Sequence, residues 1–527
     1  MQEACGEGQT RMTGAECLLR TLAANGIDTC FMNPGTSEMH FVAALERVPA
    51  VRGVLCLVEG VCSGAADGYG RMRGTPAATL LHLGPGLANA LSNLHNARKA
   101  RTPVVNIVGE HSTTHLRYDA PLTADIEAFA RTVSSYVRVA KDAADVAHAT
   151  AETIQAAIAP PGHVSTLIVP ADLSWSDTNA RVPVITAAKR AMPPAERIEE
   201  AARLAQLPGT ALLLGGTTIN ERALAAAGRL AARTGVRVLA DRNAQRISSG
   251  RGRFQPVTVP YFPEPALAVL AEVRNLILVE TQAPVSFFGY PNTPSYLLPE
   301  SSTVSVLAER SEDGTGALEA LQDACGAQKC AIPLSPPAAV ATPAAGPLTL
   351  DSVAATLVLR LPEGAILADE MVSAGAVVVP HLVHAAPHDR LPVTGGSIGQ
   401  GLPVALGAAC ALPDRKVVAL EADGSGMYTL QALWTMVREN LDVVTVIFAN
   451  RRYQILEIEM RRTGASLARG AAYDAIDISR PPLDWVQLAN GMGMPASRAT
   501  TGAEFDAQFR AAMEERGPRL IEALLTA

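Results

Sequence analysis

Residues 416–454 read KVVALEADGSGMYTLQALWTMVRENLDVVTVIFANRRYQ. The apolar runs at 417–420 and 443–448 have the length and composition of strands buried on both faces, and the stretch between them is long enough for a helix. The segment is therefore expected to fold as strand, turn, helix, strand. Asp423 falls at the carboxyl end of the first strand and Asn450 at the end of the second, 27 residues later. A right-handed crossover between parallel strands brings those two ends together, on the sheet edge where such folds bind ligands.

Outward from this segment the same pattern repeats. Apolar runs at 54–58, 77–81, 104–108 and 164–169, then at 211–214, 236–239 and 276–279, then at 365–368, alternate with Ala-rich helical stretches. Two stretches break the periodicity: 180–194, and 331–347 with the sequence AIPLSPPAAVATPAAGP. Clustered Pro removes amide donors from helix and sheet, and Ala and Gly add no anchoring surface. The fold expected is α/β, with three successive open, mostly parallel sheets carrying helices on both faces. Its domains would occupy residues 1–180, 195–335 and 348–527. A chain of 527 residues can bury that many cores.

Composition narrows the function. Lys plus Arg number 44 against 51 Asp plus Glu, giving a net charge of −7 with the signs interspersed, which argues against a nucleic-acid partner. No apolar run reaches the roughly 18 residues that cross a bilayer, so no membrane span is expected. The opening residues MQEACGEGQTRMTG lack the apolar centre of a secretory leader, and a cytoplasmic protein is the expectation. The eight cysteines contain no CxxC pair and are read as buried or incidental thiols. No short-period repeat suggests a solenoid.

Three places carry candidate chemistry. Asp423 offers anionic oxygen, Asn450 a neutral carbonyl oxygen, and the backbone carbonyl near Arg452 a third donor, a set that suits a hard magnesium ion bridging phosphates. Gly424 and Ser425 allow a close turn whose free amides can receive an anion. The same string also reads as an ordinary strand-to-helix turn capped by Asp or Ser. Upstream, in VRGVLCLVEGVCSGAADGYGRMRG, Glu59 closes an apolar run before small residues that can pack closely beneath a ligand. It could serve a heteroaromatic nitrogen as hydrogen-bond partner, or simply reach solvent. His82 follows another apolar run and can exchange protons near neutral pH, though a His at a strand end is often structural.

Together these residues resemble the thiamine diphosphate-dependent 2-oxo acid decarboxylases and acetohydroxyacid synthases. That family carries Gly-Asp-Gly followed by an Asn at a similar interval. Here Ala422-Asp423-Gly424 and Asn450 match, with Ala in place of the first Gly. The resemblance implies thiamine diphosphate and Mg2+ as cofactors, with Asp423, Asn450 and Arg452 on the metal and Gly424 and Ser425 beside the diphosphate. It implies that Glu59 promotes the imino form of the aminopyrimidine, whose nitrogen then generates the reactive thiazolium ylid. Asn33, Pro34, Gly35 and Thr36 match the early loop, and Gly396, Ser397 and Ile398 lie in the matching TGGSIGQGLPVALGAA. Ile398 would wedge the cofactor into its bent form, or fill an ordinary core gap. Glu370, Met371, Val372 and Ser373 stand at a further cofactor-contacting strand end, where Ser373 could instead cap a helix.

The string LLHLGPGLANAL resembles benzoylformate decarboxylase, which implies a catalytic and substrate-binding role for His82. The second active-site His of that enzyme has no counterpart in APVSFFGYP, where Phe288 and Tyr290 are the substrate-contact candidates, with Thr36 a candidate for the substrate carboxylate. His111 and His115 add weaker polar candidates and no third metal ligand. The implied activity is decarboxylation of a small 2-oxo acid, with ligation to a 2-hydroxy ketone when a second carbonyl is present. Acetohydroxyacid (acetolactate) synthase is the alternative chemistry. A noncatalytic phosphate-ligand-binding regulator is the alternative of another class. Some synthases hold FAD, but LLLGGTTINERAL is no reliable flavin fingerprint and FAD is not favoured. By the same resemblance the protein is a homodimer or homotetramer with active sites at a subunit interface.

Overall fold

The computed structural model describes residues 12–335, 346–464 and 470–525. The leader reading at the N-terminus, Cys5 included, falls mainly outside the described residues, as does most of the Pro- and Ala-rich connection at 331–347. The chain divides into two compact units, Met1–Ala188 and Lys189–Ala527.

The first unit is built on a six-stranded parallel sheet. In spatial order its strands are Arg52–Leu55, Thr29–Asn33, Ala77–Leu81, Val104–Glu110, Val164–Pro170 and Tyr136–Val139. Alternate strand residues Cys30, Met32, Ala78, Leu80, Val105 and Ile107 pack into one apolar core with the helix Gly14–Ala24. The chain order reverses between Thr29–Asn33 and Ala77–Leu81, so the carboxyl ends of those two strands flank a topological switch point. The run at 54–58 is strand only as far as Leu55, and Glu59 opens the helix Glu59–Arg73 instead of closing a strand.

The second unit contains two sheets. A five-stranded parallel sheet is ordered Val257–Thr258, Arg237–Ala240, Thr210–Leu214, Asn275–Val279 and Thr303–Ala308. Leu212, Leu214, Ile277 and Val279 face one core, while Ala211, Leu213, Leu276 and Leu278 face another, which shows both faces covered. A seven-stranded sheet is ordered Ile247–Ser249, His388–Pro392, Ala365–Glu370, Val417–Ala422, Val443–Ala449, Arg519–Leu524 and Ala496–Ala499. Six of these strands are parallel, and Ile247–Ser249 alone pairs antiparallel at the edge. The mostly parallel α/β expectation therefore holds, but a strand from the central segment joins the third sheet. Asp389 explains the docking: it accepts from Arg246 Nε (2.9 Å) and Ser248 Oγ (3.0 Å), so the edge strand arrives with its charge satisfied. The third sheet's order reverses between Ala365–Glu370 and Val417–Ala422, placing Glu370 and Asp423 at its switch point.

Candidate active site

At the first switch point, short contacts assemble Asn33, Gly35, Glu59 and His82. Glu59 is 6% exposed, and its two carboxylate oxygens accept from Asn33 Nδ2 (3.0 Å) and Asn89 Nδ2 (3.1 Å). Two neutral amides orient the carboxylate without adding a counter-charge. Gly86 lies between the two catalytic candidates: a Cβ there would stand 3.2 Å from Glu59 Oε1 and 3.4 Å from His82 Cβ. His82 is the N-cap of the helix Leu83–Ala100, and Leu83 is held at φ 49. Thr36 opens the short 3-10 turn Thr36–Glu38 and is exposed.

The partner of His82 is Glu38, which sequence reasoning missed. Glu38 is 3% exposed, and its Oε2 accepts from His82 Nδ1 (2.7 Å) and from the amide of Gly35 (2.8 Å). Ser37 Oγ donates to Oε1 (2.8 Å). An ionised carboxylate can only accept, so the His82 proton sits on Nδ1 and Nε2 is left to exchange one. A Cβ on Gly35 would overlap the His82 ring, and one on Gly109 would overlap the Glu38 carboxylate. The glycines make the room that lets loop, strand end and ring meet.

At the switch point of the third sheet, Asp423 is 3% exposed. Its Oδ1 accepts from the amide of Gly424 (2.9 Å) and its Oδ2 from the amide of Arg451 (2.6 Å). Burial nevertheless pushes its carboxyl up to about 6. Asn450 Oδ1 accepts from the amide of Arg452 (3.1 Å), while its Nδ2 donates to Gln454 Oε1 (3.2 Å), which also accepts from Ser373 Oγ (3.1 Å). Gln454 thus links two predicted site residues and was itself unread. No group of three His, Cys, Asp or Glu side chains able to hold a metal occurs among the described residues. A site of one carboxylate, one amide oxygen and one backbone carbonyl, completed by phosphate oxygens, needs none. The desolvated Asp423 carboxyl is what a bound cation would compensate, so these residues fit magnesium and a diphosphate.

Around this point the backbone is strained. Val372, a β-branched residue, is held at φ 49, and Arg451 at φ 59. Glu370 is 1% exposed, and its carboxylate is engaged by the amides of Gly399 (2.7 Å), Gln400 (2.8 Å) and Gly401 (2.5 Å). Burial, only partly offset by those amides, raises it to about 7. Its side chain therefore anchors the Gly396-Ser397-Ile398 loop, and the neighbouring Met371 is buried while Val372 is 37% exposed. Glu421, beside Glu370 in the adjoining strand, is pushed well above the usual carboxylate range by burial and then by Glu370.

The aromatic candidates lie in the same unit. A Cβ on Gly396, itself at φ 78, would meet Phe287 Cζ at 2.7 Å. Phe287 and Phe288 are edge to face at 5.0 Å, and Tyr261 lies 5.0 Å from Phe287. Tyr290 is tied differently: its hydroxyl donates to Glu459 Oε1 (3.0 Å), and its acidity is suppressed to about 12, by burial first and Glu459 next. His111 and His115 face each other at 5.3 Å in the first unit. At the switch point of the central sheet stands the chain's own Glu280, 1% exposed, accepting from the amides of Thr217 (2.9 Å) and Gly314 (3.1 Å) and paired with Arg190 (3.0 Å). A carboxylate occupies the crevice end that a nucleotide phosphate would use in such a sheet.

Comparisons with known proteins identify the family of the chain. Residues 12–130 match the thiamine pyrophosphate (diphosphate) enzyme N-terminal TPP binding domain, and residues 378–523 the C-terminal TPP binding domain. A Mycobacterium tuberculosis protein, IlvX, named provisionally as an acetolactate synthase large subunit, is 48% identical over 98% of this chain and 99% of its own. Benzoylformate decarboxylase of Pseudomonas aeruginosa is 28% identical over 95% of this chain and 96% of its own. The thiamine diphosphate-dependent 4-hydroxybenzoylformate decarboxylase of Rhodococcus jostii RHA1 shares the fold, with a TM-score of 0.84 and 24% identity over 98% of this chain and 99% of that one. The chain accordingly belongs to the thiamine pyrophosphate enzyme family, and is a thiamine diphosphate-dependent enzyme of its 2-oxo acid decarboxylase and acetolactate synthase branch.

Proposed function

We propose that this enzyme decarboxylates a 2-oxo acid bearing an aromatic or other bulky apolar group, with magnesium holding the cofactor. The observation that carries the substrate reading is the Phe287 ring seated against Gly396, with Phe288 and Tyr261 beside it. Half-exposed aromatic side chains next to a cofactor loop supply apolar area for a ring and exclude water from it. When bound, thiamine diphosphate supplies the carbon nucleophile and the electron sink for loss of carbon dioxide.

The chain's residues bind, orient and move protons. Asp423 and Asn450 would hold the magnesium through side-chain oxygens and Arg452 through its backbone carbonyl. Gly424, Ser425 and Ser373 would hold the diphosphate, and Ile398 would support the rest of the cofactor. Glu59, fixed by Asn33 and Asn89, would be the carboxylate that meets a ring nitrogen of the bound cofactor. His82, held through Nδ1 by Glu38, exchanges a proton at Nε2 with the substrate or product. Pro34, Gly35 and Thr36 form the loop on which the substrate carboxylate rests. Active sites are shared between subunits of a homodimer or a dimer of dimers.

A specific observation favours a second reading, acetolactate synthesis: the 48% identity to the IlvX relative. The experiment is a panel of benzoylformate, branched 2-oxo acids and pyruvate, each assayed for carbon dioxide and product identity with thiamine diphosphate and Mg2+. Free benzaldehyde from benzoylformate is the expected result. Acetolactate from pyruvate, with benzoylformate untouched, would replace the decarboxylase reading by the synthase one.

A further inference from the structure

Of the two side chains assigned to the metal, Asp423 presents two equivalent oxygens, so a half-turn of its carboxylate changes nothing. Asn450 is different. Its carboxamide is nearly symmetric in shape, but only the oxygen can meet a cation, and the NH2 end repels one. Which end is offered follows from the hydrogen bonds that both ends make.

Both ends of Asn450 are held. Oδ1 accepts from the amide of Arg452 (3.1 Å), and Nδ2 donates to Gln454 Oε1 (3.2 Å). Turned over, the NH2 group would face the Arg452 N–H and the oxygen would face Gln454 Oε1, donor against donor and acceptor against acceptor. A carboxamide oxygen has two lone pairs, so Oδ1 keeps one for a cation while it accepts from Arg452. Gln454 is fixed in turn, because Ser373 Oγ donates to the same Oε1 (3.1 Å). Two donors from separate elements converge on one oxygen.

Ser373 lies in the 3-10 turn Val372–Ala374, and Gln454 opens the helix Gln454–Arg462. The far end of that helix is tied by two residues. Glu459 accepts from the Tyr290 hydroxyl (3.0 Å), while Arg462 pairs with Glu264 (2.7 Å) and lies over the Phe262 and Tyr290 rings at 4.8 and 4.6 Å. With its last turn tied, the helix presents Gln454 at a set place. A group that holds a metal ligand without touching the metal typically shifts metal affinity by about 10- to 100-fold when it is removed. We propose that Gln454 is a positioning residue of the metal site, which keeps the oxygen end of Asn450 available to the cation and takes no coordination place itself. The inference rests on the reading of Asp423 and Asn450 as the side chains that hold magnesium.

The test titrates Mg2+ by isothermal calorimetry into the full-length, metal-free protein saturated with thiamine diphosphate. Gln454→Leu keeps the bulk and the helix preference of the side chain but offers no acceptor, whereas Gln454→Glu keeps an acceptor in the same place. Expected is an Mg2+ affinity at least about tenfold weaker in Gln454→Leu and within about threefold of wild type in Gln454→Glu. Asn450→Ala should be at least as weak as Gln454→Leu. If Asn450→Ala loses affinity and Gln454→Leu does not, the inference is overturned and the metal site stands. If Asn450→Ala binds Mg2+ as wild type does, the metal reading fails and the inference with it. A loss as large in Gln454→Glu as in Gln454→Leu also overturns the inference, because the acceptor would then not be what Asn450 needs.

Discussion

Glu38 accepts three hydrogen bonds at a position 3% exposed, and His82 is one of the donors. Glu38→Gln keeps the shape but removes the charge that fixes the His82 proton on Nδ1. A loss of roughly 10- to 100-fold in kcat is expected with KM little changed, at the low end of what a positioned acid or base contributes. Steady-state kinetics with the best substrate of the panel, alongside His82→Ala, measures it. Asp423 gives a pH prediction. Its carboxyl is raised to about 6 in the metal-free fold, against an ordinary 3.8, so it is protonated below that pH and ionised above it. A metal needs the ionised form. The apparent Mg2+ affinity should therefore be flat above about pH 6 and fall by up to about tenfold per unit below it. Asp423→Asn should bind more weakly and show no such slope. Calorimetry of magnesium binding in the presence of thiamine diphosphate from pH 5 to 8 would show both.

The helix Glu59–Arg73 must be held in place for Glu59 to be presented at its first turn. Inside it lies a fully buried i,i+4 pair, Arg71 Nε to Asp67 Oδ1 at 2.9 Å and Nη2 to Oδ2 at 2.6 Å, and Thr102 Oγ1 ties the helix to its surroundings by donating to the same carboxylate at 2.5 Å. Removing one partner of a buried pair leaves an uncompensated charge, which costs about 3–5 kcal/mol. Asp67→Ala should show that loss in urea denaturation, while an exposed pair such as Arg222 with Glu319 should be nearly silent when broken. At this scale legibility followed hydrophobicity. The strands Ala77–Leu81, Val104–Glu110 and Val443–Ala449 are near-continuous apolar runs and could be read directly. The strand His388–Pro392, HDRLP, is buried throughout yet has no apolar run, because Asp389 and Arg390 are neutralised by Arg246, Arg415 and Asp369 from other elements.

For the whole molecule, the proposed sharing of active sites between subunits has a direct test. Glu59→Gln and Asp423→Ala proteins should each be inactive alone. Co-expressed, they should regain roughly a quarter of wild-type activity, because half the dimers are mixed and each mixed dimer has one intact site. No recovery in verified mixed dimers would place Glu59 and Asp423 of one site on the same chain. The sequence by itself determined the parallel α/β architecture, since strands buried on both faces must be apolar along their length. It also set His82, Asp423 and Asn450 directly after strands, because strand ends follow the apolar runs, whereas Glu59, read as closing a strand, opens a helix. Only the tertiary structure decided that Glu38 holds His82 and that Gln454 joins Asn450 to Ser373. Those groupings depend on side chains from separate elements meeting across loops and strand ends, and no local periodicity encodes such meetings.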